Sequence, residues 1–288
     1  MSSAVLSQLL LGLINGSFYA LLSLGLSLIF GLMKIVNFAH GALYMLGALV
    51  AWLMLDKLGL GYGWALFLSP LAVGGLAALI EIGLIRRLRH LDPLYGLLLT
   101  FGLALLIQAL ASIKYGTSGL PYPPPKWLIG ADDLGFMILP RYRAWVITAS
   151  VIVCAAVWVV IEKTRLGSTL RAAAENPRLL EAFGVDVPRL ITATYAFGGA
   201  LAAFAGVLAA PIYRVNPLMG AEPIIVVFAV VAVGGMGSIG GSIITGFALG
   251  LAEGFTKVFY PQASTTVIFI IMALVLLVRP RGLFGRAG

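Results

Sequence analysis

The amino-acid sequence predicts an all-α fold, a polytopic bundle of transmembrane helices with about eight membrane elements, one of them broken or re-entrant near 223–253. The first observation is composition: 61% of the 288 residues are hydrophobic and 10% are charged, whereas soluble domains are about 45–50% apolar. The second is a mean hydropathy of +1.05. The third is the recurrence of uncharged runs close to the roughly 20 residues that a helix needs to cross a bilayer. After a first run that ends before Lys34, they are 35–55, 58–80, 93–113, 144–161, 190–213, 223–252 and 258–278.

The basic residues lie in short segments between these runs and predict which loops face the cytoplasm. The net charge is +8, but cationic residues between apolar spans indicate positive-inside sorting rather than a nucleic-acid surface. We therefore expect contact with membrane lipid and none with nucleic acid. The three segments are Arg86, Arg87 and Arg89; Lys163, Arg165, Arg171, Arg178 and Arg189; and Arg279, Arg281 and Arg286.

Placing these three segments in the cytoplasm determines the predicted topology. The runs at 93–113 and 144–161 then cross the membrane between two cytoplasmic segments, so the loop 114–143 lies outside. Three prolines at 123–125 stiffen this loop and disfavour a long helix in it. Counting spans in both directions leaves the N-terminus outside and the C-terminus in the cytoplasm. We expect residues 1–288 to form one transmembrane domain.

The segment after the first span carries polar residues at membrane depth. Asn37, His40 and Gly41 lie between two long apolar runs. Polar side chains are costly in a bilayer and usually face a cavity or the inside of the bundle, and glycine permits an unwound turn. One interpretation is that these residues line a translocation pathway. The other is that Asn37 and His40 form hydrogen bonds between helices.

The longest charged segment, 162–189, predicts two short helices on the cytoplasmic surface. Ser168 is a candidate N-cap for the first, which continues through a run of alanines. Asn176 and Pro177 then force a turn. Pro177 suits the first position of a second helix, and Gly184 suits its end. We therefore expect a compact helical knob, with a solvated connector as the alternative.

The stretch 223–253 is predicted to be broken, because glycines interrupt its middle. Two pieces of about 10–14 residues are each too short to span, which favours a broken or re-entrant helix pair followed by one full span near 262–278. The residues at the break are further candidates for the translocation pathway, although small residues also allow close helix packing. A phosphate-binding loop is disfavoured, because the Lys-Ser/Thr ending is absent. These residues are Gly234, Gly235, Gly237 and Ser238.

Three motifs follow one another along the chain: Asn37-Phe-Ala-His-Gly41; Arg171-Ala-Ala-Ala-Glu-Asn-Pro177, leading to Glu181-Ala-Phe-Gly184; and Gly234-Gly-Met-Gly-Ser238. Together they resemble the LivH-type permeases of branched-chain amino-acid ABC importers, and the resemblance covers nearly the whole chain. It implies an inner-membrane translocation subunit. The implied partners are a LivM-type second permease, two ABC ATPase subunits and an extracytoplasmic substrate-binding protein.

By the same resemblance, the cytoplasmic segment matches the coupling loop with which such permeases dock in a groove of the ATPase. We expect ATP hydrolysis on partner chains, because this chain carries no nucleotide-binding motif, and we expect no enzymatic activity, metal site or cofactor. The positions implied in ATPase coupling are Arg171, Glu175, Asn176, Pro177, Glu181 and Gly184.

An ion-coupled secondary transporter, or a channel for small amides or urea, is the main alternative. It requires intramembrane acids that bind the coupling ion, and Glu81 and Glu253 are the candidates. Each has a basic residue nearby, Arg86 for Glu81 and Lys257 for Glu253, which favours local ion pairs instead. An apolar pathway suits leucine, isoleucine or valine without requiring them, so the sequence leaves the substrate open.

Overall fold

The computed structural model describes residues 2–88 and 91–285, and within these ranges eleven helices and one two-stranded hairpin form the fold. Arg89 and Arg286, members of the predicted basic segments, lie outside the described residues. The helices are α1 (Ser2–Met33), α2 (Ala39–Leu58), α3 (Tyr62–Leu88), α4 (Pro93–Tyr115), α5 (Arg141–Lys163), α6 (Arg165–Glu175), α7 (Pro177–Ala182), α8 (Val187–Ala209), α9 (Ala221–Gly234), α10 (Ile239–Phe259) and α11 (Thr266–Val278); the strands are β1 (Ala131–Asp133) and β2 (Ile138–Pro140).

Seven helices in the described part of the chain are long and apolar enough to cross a membrane: α1 to α5, α8 and α10. α9 and α11 are also apolar, but they have only 14 and 13 residues. Such helices are about 20 Å long, against a hydrocarbon core of about 30 Å. The predicted polytopic helical bundle is confirmed.

The predicted break in 223–253 is present, but its two sides are unequal. α9 ends at Gly234 and α10 begins at Ile239, after which α10 continues for 21 residues. The prediction of two short pieces was therefore wrong for the second piece, because an unbroken helix satisfies its backbone groups in lipid despite its glycines. The predicted full span near 262–278 was also wrong. A 3₁₀ turn over Pro261–Ala263 delays the last helix, since the residue before a proline avoids the α region.

Glycines on both helices let α1 and α10 pack closely in antiparallel directions. A Cβ atom placed on Gly12 would lie 2.4 Å from the carbonyl oxygen of Gly250, and one placed on Gly250 would lie 2.4 Å from Cα of Gly16. One on Gly246 would lie 2.6 Å from Cα of Ala20. Backbones that touch in this way are typical of small-residue interfaces in lipid. The glycines of α10 therefore hold it against α1.

Glu81 is fully buried in α3 and is paired as predicted. Its Oε2 lies 3.3 Å from Nη2 of Arg86 and accepts a 2.6 Å hydrogen bond from Oγ1 of Thr192. Residues Glu81–Ile85 form a π turn, and this wider turn aligns side chains that are five residues apart. The local ion pair with Arg86 is confirmed.

The loop between α4 and α5 contains no long helix in the described residues, as its prolines predicted, and it forms a small cap. β1 and β2 pair antiparallel within it, and Asp132 forms an ion pair with Arg141 at 2.9 Å. Ser7 of α1 donates a 3.2 Å hydrogen bond to the carbonyl of Phe136 in this cap. The start of α1 therefore lies at this end of the bundle, which we name the cap face.

The described basic segments gather at the opposite end, which we name the basic face. Arg86 donates to Thr192 near the start of α8 over 2.6 Å. Arg171 lines one cavity together with Gly237 and Phe284, which lies near the C-terminus. The grouping expected of cytoplasmic loops is thus present in the described part of the chain.

Candidate functional site

The first break, 34–38, separates α1 from α2. Lys34 has a φ of +53°, the one positive value at a non-glycine among the described residues, and this turn ends α1. The chain then returns into the bundle, because Nε2 of His40 lies 3.0 Å from the carbonyl oxygen of Leu22. Leu22 precedes the end of α1 by three turns, so the His40 side chain contacts α1 about 16 Å from that end.

Of the three candidates, Asn37 lies in this break, and His40 and Gly41 lie in the first turn of α2. His40 is 0% exposed and Asn37 is 1% exposed. The bond from His40 to Leu22 joins two helices, as one interpretation predicted. Neither Nδ1 of His40 nor the amide of Asn37 has a hydrogen-bond partner among the described residues, and the Tyr195 hydroxyl lies beside Asn37. Gly41 faces Gly220, whose carbonyl oxygen would lie 2.5 Å from a Cβ there; the assignment of the three to a pathway stays a prediction.

The second break, 235–238, is built from two left-handed glycines and a capping serine. Gly235 and Gly237 have φ values of +96° and +87°, a conformation that favours glycine. Oγ of Ser238 accepts a 3.2 Å hydrogen bond from the N–H of Gly241 and so caps α10. The sequence places each of these residue types where the backbone requires it.

Leu283 and Phe284 supply hydrogen bonds to the end of α9 at this break. The N–H of Leu283 donates to the carbonyl of Val233 over 2.8 Å, and the N–H of Phe284 donates to that of Gly234 over 3.2 Å. The last carbonyls of a helix lack partners within the helix. The C-terminal segment supplies them and fixes one side of the break.

A cavity of about 160 Å³ joins the second break to the cytoplasmic segment. Gly237 and Ser238 line it together with Glu162 and Arg171. The structure thus brings two of the pathway candidates together with one coupling candidate. His40 lies deeper in the bundle, where it contacts Leu22 of α1, and Asn37 lies beside Tyr195 of α8.

The segment 162–189, which was predicted to be cytoplasmic, contains two short helices, α6 and α7, as predicted. The prediction that Ser168 caps the first was wrong, since α6 begins at Arg165. Thr164 has an extended backbone with ψ 165°, which ends α5 and allows a new helix at the next residue. Ser168 lies within α6, where its Oγ donates to the carbonyl of Arg165 over 2.8 Å.

The ends of α7 are those that the sequence predicted. Oδ1 of Asn176 accepts a 3.0 Å hydrogen bond from the N–H of Leu179, and Pro177 occupies the first helical turn. Gly184 has a φ of +84°, and its N–H donates to the carbonyl of Glu181 over 2.9 Å. The motif therefore encodes a short, well-capped helix.

α7 and Phe183, the residue directly after it, expose most of their surface, including two large apolar side chains. Leu179 is 55% exposed and Phe183 is 78% exposed. They are four residues apart, so they lie on the same side of the helix. Glu175, which ends α6, and Glu181, within α7, are also exposed. Exposed apolar side chains rimmed by charges mark an interaction surface.

The Arg171 side chain, in contrast, contacts the end of α5. Its Nη1 donates to the carbonyl of Ile161 over 3.2 Å and lies 3.5 Å from Oε2 of Glu162. A Cβ atom on Gly167 would lie 1.6 Å from the same carbonyl oxygen of Ile161. α6 therefore lies directly on the end of α5.

A larger cavity, of about 360 Å³, was missed by sequence reasoning. Glu253 is 7% exposed and accepts hydrogen bonds from the Tyr19 hydroxyl over 2.8 Å and from Nδ2 of Asn15 over 3.3 Å. Its predicted ion pair with Lys257 was wrong: in the described residues no basic group lies within 4 Å of Glu253. Lys257 instead lines an adjoining cavity, because Glu253 turns toward the polar side chains of α1.

The signal for this cavity was the presence of Asn15 and Tyr19, four residues apart in an otherwise apolar helix. Glu222 lies in the first turn of α9 and lines the same cavity. We name it the acidic cavity. It is lined by Asn15, Phe18, Tyr19, Tyr44, Tyr213, Asn216, Met219, Glu222, Pro223, Val226, Glu253 and Thr265.

Comparison with known proteins decides the family. Residues 8–278 match the family described as the permease component of branched-chain amino acid transport systems. The chain belongs to this family. The high-affinity branched-chain amino acid transport system permease protein LivH of Escherichia coli strain K12 is 30% identical over 294 residues, covering 98% of this chain and 96% of LivH. The corresponding BraD of Pseudomonas aeruginosa is 31% identical, with the same coverage of both chains.

A probable branched-chain amino acid transport permease protein LivM, from Methanocaldococcus jannaschii, is 27% identical over 70% of this chain and 67% of its own length. No solved structure matches the chain. Membership of the permease family confirms the resemblance seen in the motifs and identifies a component of a transporter rather than an enzyme. With its seven long apolar helices, this permease is a multi-pass protein of the inner membrane.

Proposed function

We propose that this permease carries branched-chain or related amino acids through the inner membrane as the LivH-type subunit of an ATP-driven importer, and that residues 1–288 act as one permease domain. LivH and BraD, which are aligned over 98% of the chain, are named as branched-chain amino acid permeases. The observation that carries the coupling to an ATPase is the exposed surface of α7, where Leu179 and Phe183 lie outside the apolar spans.

In this proposal α7 docks in a groove of one of two ABC ATPase subunits. The groove receives Leu179 and Phe183, and the exposed Glu175 and Glu181 lie at the edge of the contact. Burying an aromatic side chain at the centre of an interface typically supplies much of the binding energy. The capped ends of α7, at Asn176-Pro177 and Gly184, keep this short helix rigid enough to transmit a push.

The movement of the ATPase subunit is transmitted to the membrane helices through α6. Arg171 and the close contact at Gly167 join α6 to the end of α5. The cavity of about 160 Å³ that Arg171 lines also borders the second break at 235–238, where the backbone is already unwound. We expect this break, and the first break at 34–38, to absorb the change in helix direction during transport.

The basic face is cytoplasmic and the cap face is extracytoplasmic in this proposal, because basic loops are retained on the cytoplasmic side. This orientation leaves the N-terminus outside and the C-terminus in the cytoplasm. A substrate-binding protein then delivers the amino acid at the cap face, and a LivM-type second permease completes the pathway. The residues proposed for the pathway are Asn37, His40, Gly41, Gly234, Gly235, Gly237 and Ser238.

Reconstitution tests the proposal. The permease, a second permease, the ATPases and the binding protein are incorporated into proteoliposomes, and uptake of labelled leucine, isoleucine, valine, other amino acids, small amides and urea is measured. We expect amino-acid uptake that requires ATP, with an ATPase variant unable to hydrolyse ATP as the control. Uptake that survives without the ATPases and collapses with a proton gradient would establish ion-coupled transport instead.

A further inference from the structure

The acidic cavity holds a buried carboxylate whose hydrogen-bond partners are both neutral. Glu253 is 7% exposed and is held by Tyr19 and Asn15. In the part of the chain described, no Lys, Arg or His side chain approaches it within 4 Å. Lys257, four residues on in α10, attracts Glu253 electrostatically but forms no ion pair with it. A buried carboxylate without a directly paired counter-charge is unfavourable. The site is therefore suited to a ligand that carries a positive charge.

The rest of the acidic cavity fits a small amphipathic molecule. Glu222 supplies a second carboxylate at its exposed side. Phe18, Met219 and Val226 form an apolar wall. The volume of about 360 Å³ falls within the range of roughly 300–1,000 Å³ that is usual for small-molecule sites.

An adjoining cavity of about 350 Å³, which we name the basic cavity, has the opposite charge. Arg143 and Lys257 line it, and it shares Asn15 and Tyr213 with the acidic cavity. The Tyr213 hydroxyl donates a 3.1 Å hydrogen bond to Oδ1 of Asn15 at this boundary. Arg143 lies in the first turn of α5, which starts at the cap face. α10 runs antiparallel to α1 and so ends toward the cap face, which places Lys257 nearer to that face than Glu253.

We propose that the two cavities together form a binding site for a zwitterionic α-amino acid within the permease. The ammonium group is held by Glu253 and Glu222, the carboxylate is directed toward Arg143 and Lys257, and an aliphatic side chain packs on the apolar wall. This inference rests on the proposed function and assigns the groups that recognise the substrate after its release from the binding protein.

Protection of an introduced cysteine measures occupancy of the site. Thr265 is exposed and lines the acidic cavity, so Thr265→Cys is labelled with a small maleimide in the complete complex, embedded in nanodiscs. Cys154 is buried, and the complex without the new cysteine gives the background. The probes are leucine, 3-methylbutylamine, which lacks the carboxylate, and 4-methylpentanoate, which lacks the ammonium group. We expect leucine and the amine to slow labelling.

Charge-neutralising variants separate the two ends of the ligand. In Glu253→Gln we expect the concentration for half protection by leucine and by 3-methylbutylamine to rise by about tenfold or more, the factor that corresponds to losing one charged contact. In Arg143→Gln the value should rise for leucine and stay unchanged for the amine. Asp56→Asn is the matched control, because Asp56 is an exposed acid paired with Lys57 at the end of α2.

Glu222→Gln repeats the test at an exposed side chain. If Glu253→Gln does not insert into the membrane, Glu222→Gln alone tests whether the carboxylates bind the ammonium group. Amine protection that is unchanged in the inserted Glu253→Gln and Glu222→Gln variants, or a transporting complex in which leucine gives no protection, would overturn the inference. A complex that imports no amino acid contradicts the proposed function itself. Normal import together with equal protection by leucine, 3-methylbutylamine and 4-methylpentanoate contradicts only the two-cavity site.

Discussion

Gly31 and Gly237 lie against each other where the two broken segments of the permease meet. A Cβ atom on Gly31 would lie 3.3 Å from Cα of Gly237, and one on Gly237 would lie 3.1 Å from Cα of Gly31. Gly31 belongs to the last turn of α1, directly before the break at 34–38, and Gly237 lies inside the break at 235–238. A backbone contact of this kind passes movement from one break to the other without an intervening side chain.

Gly237→Ala is expected to lower amino-acid uptake. Alanine at a φ of +87° is strained by about 1–2 kcal/mol, and its Cβ presses on Gly31. We expect initial uptake by proteoliposomes to fall about fivefold or more, the factor equivalent to 1 kcal/mol. Gly135→Ala is the control, because Gly135 has a φ of +79° and nothing lies within 4 Å of a Cβ there. Equal losses in both variants would show that strain, and not the contact, matters.

Local features of this fold were predictable from the sequence, because they depend on neighbouring residues. The lengths of most spans follow from uncharged runs, and the ends of α7 follow from the preferences of Asn176-Pro177 and Gly184. Glu81 also found its predicted partner Arg86, five residues away in the same helix. In each case the deciding interaction lies within one or two turns.

Features that depend on tertiary packing were not predictable in this way. Glu253 bonds to Tyr19, which is 234 positions away, rather than pairing with Lys257. α10 continues past its glycines because α1 packs against them, a partner that no local pattern reveals. The acidic cavity combines side chains from the two ends of the chain, so only the folded arrangement brings them together.

Phe183→Ser is expected to weaken docking of the ATPase subunits. Phe183 is 78% exposed, and loss of an aromatic anchor typically costs about 2 kcal/mol or more at an interface. We expect the amount of ATPase that copurifies with the permeases to fall at a fixed detergent concentration. Ile138→Ser is the control, since Ile138 is 69% exposed on the cap face. Full ATPase recovery with Phe183→Ser would remove α7 as the docking helix.

Gly184→Ala is expected to uncouple ATP hydrolysis from uptake while the complex stays assembled. Its φ is +84° and nothing lies within 4 Å of a Cβ there, so alanine adds strain of about 1–2 kcal/mol at the end of α7 without a clash. The number of amino acids imported per ATP hydrolysed should decrease. Gly59→Ala provides the matched control, because Gly59 ends α2 with a φ of +63° and similar free space. A normal ratio in Gly184→Ala would argue against a rigid α7.

Gly250→Ala is expected to destabilise the permease through the packing of α1 on α10. Its Cβ would lie 2.4 Å from Cα of Gly16 and 2.6 Å from the carbonyl oxygen of Gly12, and these backbone atoms move only if the helices separate. Overpacking typically costs about 1–3 kcal/mol, which thermal unfolding in detergent measures as a lower melting temperature. Gly240→Ala should not change it, because its nearest neighbour is a side-chain atom of Trp158 at 3.5 Å.

The same variant links this packing to the acidic cavity. Asn15 and Tyr19 lie on α1 next to Gly16, and their acceptor Glu253 lies on α10. Separation of the two helices lengthens both hydrogen bonds, so Gly250→Ala should also weaken leucine protection of Thr265→Cys, whereas Gly240→Ala should leave it intact. A lower melting temperature with unchanged protection would show that Glu253 binds its ligand without help from α1.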